Sequence, residues 1–226
     1  MNTTKKLIVA FTAIQQLASV TRYSKDTIIN KESVLEHTGF VAVFSYLLAK
    51  QLKQDVDIGK LLSRAVVHDL DEIFTGDIPR ITKYSSADIL KAFKQVEETS
   101  IGKLSYVLGV ELLDTWQESK ANDLEGLLMR ITDMVAVVYK CWQEIELFGN
   151  YSIVRIVFEL RKQVIPKVRT YVRESNHTDD NTFAVLTGLL DACNEIMYKL
   201  EMSCQRVSSE ARDALVTFNV AGDKSV

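Results

Sequence analysis

Residues 58–79 read IGKLLSRAVVHDLDEIFTGDIP, and this stretch decides the fold class. Leu61, Leu62, Ala65, Val66, Leu70 and Ile73 recur at a helical period, which predicts one helix over about residues 58–74. Thr75-Gly76-Asp77-Ile78-Pro79 then stops it, because glycine and proline three apart force a defined turn. The same period holds through most of the 226 residues, and 2 prolines with 9 glycines are too few turn-makers for a many-stranded sheet. The expectation is an all-α fold.

Working outward, a first helix is predicted over about 7–21, followed by a polar loop at 23–31. Ser33 and Glu36 form an S-x-x-E capping box opening a second helix that runs to about residue 53, with His37 in its first turn. Beyond the quoted stretch, helices are predicted at about 86–108, 110–119, 122–148, 152–172 and 180–204, with Gly149-Asn150 as a stop. Residues 153–160 are apolar enough to face either the core or a partner. Residues 176–181 are the most linker-like, but the flanking helices are of ordinary length. One domain over 1–206 is expected, with 207–226 as a C-terminal tail fraying from about residue 217.

Composition narrows the function classes. With 47% hydrophobic and 25% charged residues the chain has the balance of a globular domain. A net charge of -3 and a pI near 5.7 lack the basic excess that a nucleic acid polymer demands. Cys141, Cys193 and Cys204 are odd in number and contain no CxxC pair, which points to a reducing compartment. Lys5-Lys6 precede an apolar run at 7–11, but the run breaks at Gln15-Gln16 and reads as an amphipathic helix rather than a signal peptide. No stretch reaches the roughly 18–20 apolar residues that span a bilayer. A cytoplasmic protein without a membrane partner is expected.

Few residues can carry chemistry. His68, Asp69, Asp71 and Glu72 place one histidine and three carboxylates within five residues of an otherwise apolar helix, where burying them unpaired is costly. On a continuous helix His68 and Glu72 share a face and Asp69 lies about 100° round. Two readings follow: a metal site, or a core histidine beside a solvated acidic helix end. Asp133, among the aliphatics of 127–138, needs a partner, which a metal, Arg130 or Lys140 would supply. His37 reads either as a ligand or as a helix-start histidine, and His177 as a surface residue.

The ordered set His37, His68-Asp69, Asp133 resembles the H…HD…D signature of the HD-domain metal-dependent phosphohydrolases. Arg22-Tyr23, ESVLEH at 32–37, VHDLDEIFTGDIP at 67–79 and Lys83-Tyr84 narrow the resemblance to the bacterial 5'-deoxynucleotidase branch. Phage deoxynucleoside triphosphate triphosphohydrolases share the pattern. The resemblance covers about residues 7–165 and implies an HD-domain helical bundle with additional C-terminal helices. It implies that His37, His68, Asp69 and Asp133 hold one divalent metal ion, a set suited to Co, Mn or Zn more than Ca, with Mg also admissible. In the pattern the metal activates a water against phosphorus, Glu72 orients or deprotonates that water, and Arg22 clamps phosphate. Tyr23, Asp77, Ile78, Pro79 and Arg80, with Arg22, His37 and Asp69, line the substrate.

Two departures matter. Tyr23 stands where the nucleotidase pattern has a tryptophan packed against the place of a ribose 2'-hydroxyl, so the strictness of deoxy selection is left open. Arg80 replaces a small hydroxyl residue, and an added cation there suits a di- or triphosphate. The implied reaction is deoxynucleoside monophosphate to deoxynucleoside and phosphate. The alternative releases triphosphate from a deoxynucleoside triphosphate, and a different class is a helical regulatory or binding module that kept the HD shell. The implied partner is a small-molecule deoxynucleotide, in a homo-oligomer of two or more copies.

Overall fold

The computed structural model describes residues 3–222, with side chains to residue 210, and every regular element among them is helical. Helices α1 (Thr3–Ser19), α2 (Val34–Ala49) and α3 (Ile58–Val67) lead into two single turns, α4 (Glu72–Thr75) and α5 (Arg80–Lys83). Then come α6 (Ala87–Leu108), α7 (Leu113–Glu118) and the central α8 (Leu124–Trp142). A rod made of α9 (Val154–Glu159), a π turn (Leu160–Val164) and α10 (Ile165–Glu174) packs against α8, and α11 (Asp180–Gly222) closes the bundle. α11 runs past Cys204, where the sequence pattern ends its helix. Residues 1–2, and 223–226 of the expected tail, lie outside the described residues.

The quoted stretch departs from its pattern at one informative place. The helix predicted over 58–74 stops at Val67, and the chain tightens into i to i+3 turns: Leu70 N–H donates to Val67 O and Glu72 N–H to Asp69 O. Polar side chains cause the break. His68 Nδ1–H donates to Ala65 O at 2.7 Å, and the buried Asp71 carboxylate accepts from Trp116 Nε1–H at 2.9 Å, so neither group faces solvent as a continuous amphipathic helix would require. The helical offset expected between His68, Asp69 and Glu72 therefore does not apply. Gly76 ends α4 at φ 68°, ψ 172°, a conformation essentially confined to glycine, and turns Asp77 inward.

α8 is apolar almost all round because it is enclosed by α2, α3, α9, α10 and α11. Its start is pinned to α3: Asp123 caps Gly126 N–H and accepts from Arg64 and Lys60. A Cβ at Gly126 would stand 2.3 Å from the Ala121 carbonyl oxygen, so only glycine lets the connection from α7 to α8 approach this closely. A buried Ser45–Thr132 hydroxyl pair at 2.8 Å sets the register of α2 on α8 one residue before Asp133. The rod contains the second proline: Pro166 has no N–H, and the helix widens so that Ile165 N–H reaches Leu160 O five residues back. Ile153, Val157 and Leu160 are buried while Val154 and Phe158 are exposed, so this segment gives one face to the core.

At its C-terminal end α8 loosens into a π turn (Gln143–Leu147) that carries the buried Glu144. Glu144 accepts from the backbone N–H groups of Ile29 and Asn30 and from Asn150 Nδ2, and pairs with the buried Lys140. This ties the 20–33 loop to α8. Glu144→Ala should strand Lys140 and two loop amides, and we expect a loss of about 3 kcal/mol in urea unfolding, the scale of breaking a buried ion pair. An unchanged urea midpoint would contradict that role.

Candidate active site

The capping box opens α2 as predicted: Ser33 Oγ accepts from Glu36 N–H, and Glu36 accepts from Ser33 N–H. This fixes His37, fully buried, in the first turn of α2, facing α8 and the 68–71 turns. His37 Nε2 stands 3.1 Å from Asp133 Oδ1, 3.4 Å from His68 Nε2 and 3.6 Å from Asp69 Oδ2. His68 Nε2 is 3.1 Å from Asp69 Oδ2. Potential ligand atoms of His37, His68 and Asp69 thus converge, all within 4.8 Å of one another, and Asp133 joins them through His37. Asp133 pairs with His37 and with neither alternative partner: Arg130 donates to Lys120 O and Ala121 O, and Lys140 serves Glu144.

The donor set fits a metal ion. Ligands about 2.1 Å from a first-row ion stand about 3.0–3.4 Å apart, close to the spacings here. Because Ala65 O takes the Nδ1 proton of His68, the lone pair of that ring lies on Nε2, which faces the cluster. Electrostatics agree. Burial opposes the charge on Asp69, yet His68, His37 and Arg22 hold its carboxyl far below the usual range. Burial likewise opposes the His68 imidazolium, but Asp69 and Asp133 push it up to about 9. A divalent cation would satisfy the two carboxylates that a proton on His68 satisfies in its place.

Arg22 and Tyr23 enter from the 20–33 loop, whose ends are joined by Arg22 N–H to Glu32 O and Val34 N–H to Val20 O. Tyr23 has φ 58°, the left-handed region a tyrosine rarely occupies. Asp77 Oδ2 accepts its N–H at 2.8 Å and stabilises that turn, which links the Gly76 corner to Arg22. The Arg22 Nε and Nη1 atoms are buried without hydrogen-bond partners, as are Tyr23 Oη and Glu72 Oε2. Glu72 does not line the cavity described next; burial, Asp69 and Asp77 push its carboxyl up to about 10.

A cavity of about 470 Å³ opens beside the cluster. Arg22, Tyr23, Asp69, Asp77, Ile78, Pro79 and Arg80 all line it, with His68 and Asp133. His37 lies behind the wall. Arg80 departs from its expected role as a free cation: its Nε pairs with Glu159 at 3.3 Å. The rest of the lining comes from residues the sequence reading did not single out, among them Met134 and Val137 on α8 and Arg155, Ile156, Leu160, Lys167 and Tyr171 on the facing rod. Within amphipathic helices they carry no local signal beyond a helical period. His177 is exposed, and its carbonyl accepts from Gln54, which ties down the linker-like segment.

The arrangement is similar to known proteins. A structure from Pyrococcus horikoshii OT3 matches 85% of this chain and 99% of its own with a TM-score of 0.59 at 20% identity, a likeness of fold. An HD-domain phosphohydrolase from Listeria innocua matches 82% of this chain and 98% of its own, with a TM-score of 0.56 and 21% identity. The 5'-deoxynucleotidase YfbR of Escherichia coli O127:H6 is 27% identical over 148 residues, 62% of this chain and 74% of that protein. A 5'-deoxynucleotidase of Photorhabdus laumondii is 25% identical over 160 residues, 67% of this chain and 81% of that protein. The sequence model of the YfbR-like 5'-deoxynucleotidases matches residues 10–175, and the chain belongs to that family.

Proposed function

We propose that this chain is a metal-dependent phosphohydrolase that releases phosphate from 5'-deoxynucleoside monophosphates. One observation carries the reading: His37, His68 and Asp69 converge within metal-ligand spacing, with Asp133 3.1 Å from His37, beside an arginine whose buried Nε and Nη1 have no partner, at the edge of a nucleotide-sized cavity. These four residues would hold one divalent ion, with Mn, Co or Zn suited to two imidazoles and two carboxylates. When bound, the ion polarises a phosphate oxygen and acidifies a water. Arg22 binds the phosphate through a planar fork of donors. Glu72, whose Oε2 is buried without a partner just outside the cavity wall, is the group of the family pattern that would orient or deprotonate the attacking water. Tyr23, fixed by Asp77, and the Ile78-Pro79 corner border the sugar.

Three buried free thiols support a cytoplasmic setting for this reading. No helix among the described residues is long and apolar enough to cross a membrane. The outward face of α2, with Val43, Tyr46 and Leu47 exposed, supports a homo-oligomer. The test is a panel of deoxy- and ribonucleotides, mono- to triphosphate, incubated with Mn, Co, Zn or Mg, with phosphate and polyphosphate products resolved. Orthophosphate from deoxynucleoside monophosphates is the expected result. Tripolyphosphate release would replace it with the triphosphohydrolase reading, and no turnover of any nucleotide would leave a binding module.

A further inference from the structure

The cavity has a second charged end. Along α8 the residues facing it are Met129, Arg130, Asp133, Met134 and Val137. Arg130 precedes Asp133 by three residues, about 4.5 Å along the axis on the same face. Two cavity arginines are answered by acids: Arg80 by Glu159, and Arg155 by Asp26 and Glu159. Lys120, Arg130 and Lys167 line the cavity too, Arg130 against the Lys120 carbonyl and both Arg130 and Lys167 against the Tyr171 ring.

Arg130 uses only Nη2, on the carbonyls of Lys120 and Ala121 and the side-chain oxygen of Asn122, all neutral acceptors. Among the described residues no carboxylate lies within 4.0 Å of the charged nitrogens of Arg130 or Lys167. Both approach the same ring, with the Arg130 guanidinium carbon 4.9 Å and Lys167 Nζ 5.8 Å from the Tyr171 centroid. Two cations at one ring repel each other, and an anion between them removes that cost. Lys120 Nζ sits 3.3 Å from the Trp116 centroid, and its one carboxylate partner among the described residues, Glu97 at 3.8 Å, also pairs with Lys83.

We propose that Lys120, Arg130 and Lys167 form a second phosphate subsite, which takes a phosphate group other than the one at the metal cluster. The proposal rests on the phosphohydrolase reading only for the place of the first phosphate. The second group has two sources with the same chemistry: a further phosphate of the nucleotide, or free inorganic phosphate.

The test titrates inorganic tripolyphosphate, which has no ester to cleave, into the full metal-loaded chain at one fixed metal excess. Lys167→Ala removes an exposed ammonium and leaves the core intact; Lys120→Gln is the second variant. Each should weaken tripolyphosphate binding about tenfold, the scale of one charged hydrogen bond. Michaelis constants for mono-, di- and triphosphates then identify the source. A rise confined to the longer nucleotides in Lys167→Ala assigns the nucleotide's own chain. Equal Michaelis constants with weaker inhibition by orthophosphate assign the free anion. Tripolyphosphate affinity unchanged in both variants overturns the subsite. A chain that hydrolyses nothing but still loses tripolyphosphate binding on Lys167→Ala keeps the subsite and fails the phosphohydrolase reading.

Discussion

Asp69→Asn is expected to leave the helical circular dichroism in place while lowering phosphohydrolase activity by about 10³-fold or more, the scale of losing a metal that stabilises transition-state charge. Asn is close in shape, so the 68–71 turns and the bond from His68 Nδ1 to Ala65 O should persist. What changes is charge. Oδ2 of Asp69 lies 3.1 Å from His68 Nε2 and 3.6 Å from His37 Nε2, at the centre of the cluster, and an amide supplies a poorer ligand there. The variant should therefore lose metal first and activity with it, which calorimetric titration of Mn or Co resolves.

The same residue sets a pH dependence. In the metal-free protein His68 is pushed up to about 9 because Asp69 and Asp133 outweigh its burial. A raised imidazole stabilises the fold fully below its unfolded value of about 6.5, and that contribution is lost as pH rises through about 9. Metal binding needs the bare Nε2, so apparent affinity should climb by up to about tenfold per pH unit toward pH 9. Asp69→Asn removes the nearest counter-charge, and its weaker affinity should level off at a lower pH. A wild-type affinity flat from pH 6.5 to 8.5, or an active Asp69→Asn variant, would remove Asp69 and His68 from the ligand set.

Local signals carried much of this into the sequence. The Ser33–Glu36 box placed His37, Gly149 ends its helix at positive φ, and Gly76-Asp77-Ile78-Pro79 forms the corner it reads as. That buried polar groups in apolar helices need partners marked His68, Asp69 and Asp133 as anomalies, but it left their partners open, and only the family resemblance grouped them with His37. The break at His68 was not readable. Periodicity counts apolar positions, whereas the break depends on Trp116 waiting for Asp71. The far wall was also invisible, since Arg155, Glu159 and Lys167 look like an ordinary solvated helix face until α8 stands opposite. Arg80 illustrates the limit: its cation was legible, but not Glu159, which neutralises it from a distant helix.

Arg22→Lys should lower kcat/KM by about 10²-fold, or about 2.7 kcal/mol, while leaving metal affinity near the wild-type value. Burial opposes the charge of Arg22, but Tyr23, Asp69, Asp133 and Glu32 together hold its guanidinium above its ordinary value, so it is a cation at every working pH. Its Nε and Nη1 are buried without partners, a cost that a tetrahedral oxyanion would remove. Lysine keeps the charge but loses the planar fork, so the loss should fall on kcat where the contact strengthens in the transition state. Arg22→Met goes further. It leaves Asp69, Asp133 and Glu32 without a nearby guanidinium, so metal should bind as tightly or more tightly while activity falls below that of Arg22→Lys. That opposition separates the two halves of the site: Asp69→Asn loses metal and activity together, whereas the Arg22 variants lose activity alone. Wild-type kcat/KM in Arg22→Lys would mark Arg22 as a counter-ion to the carboxylates, and phosphate would then have to be held elsewhere in the cavity.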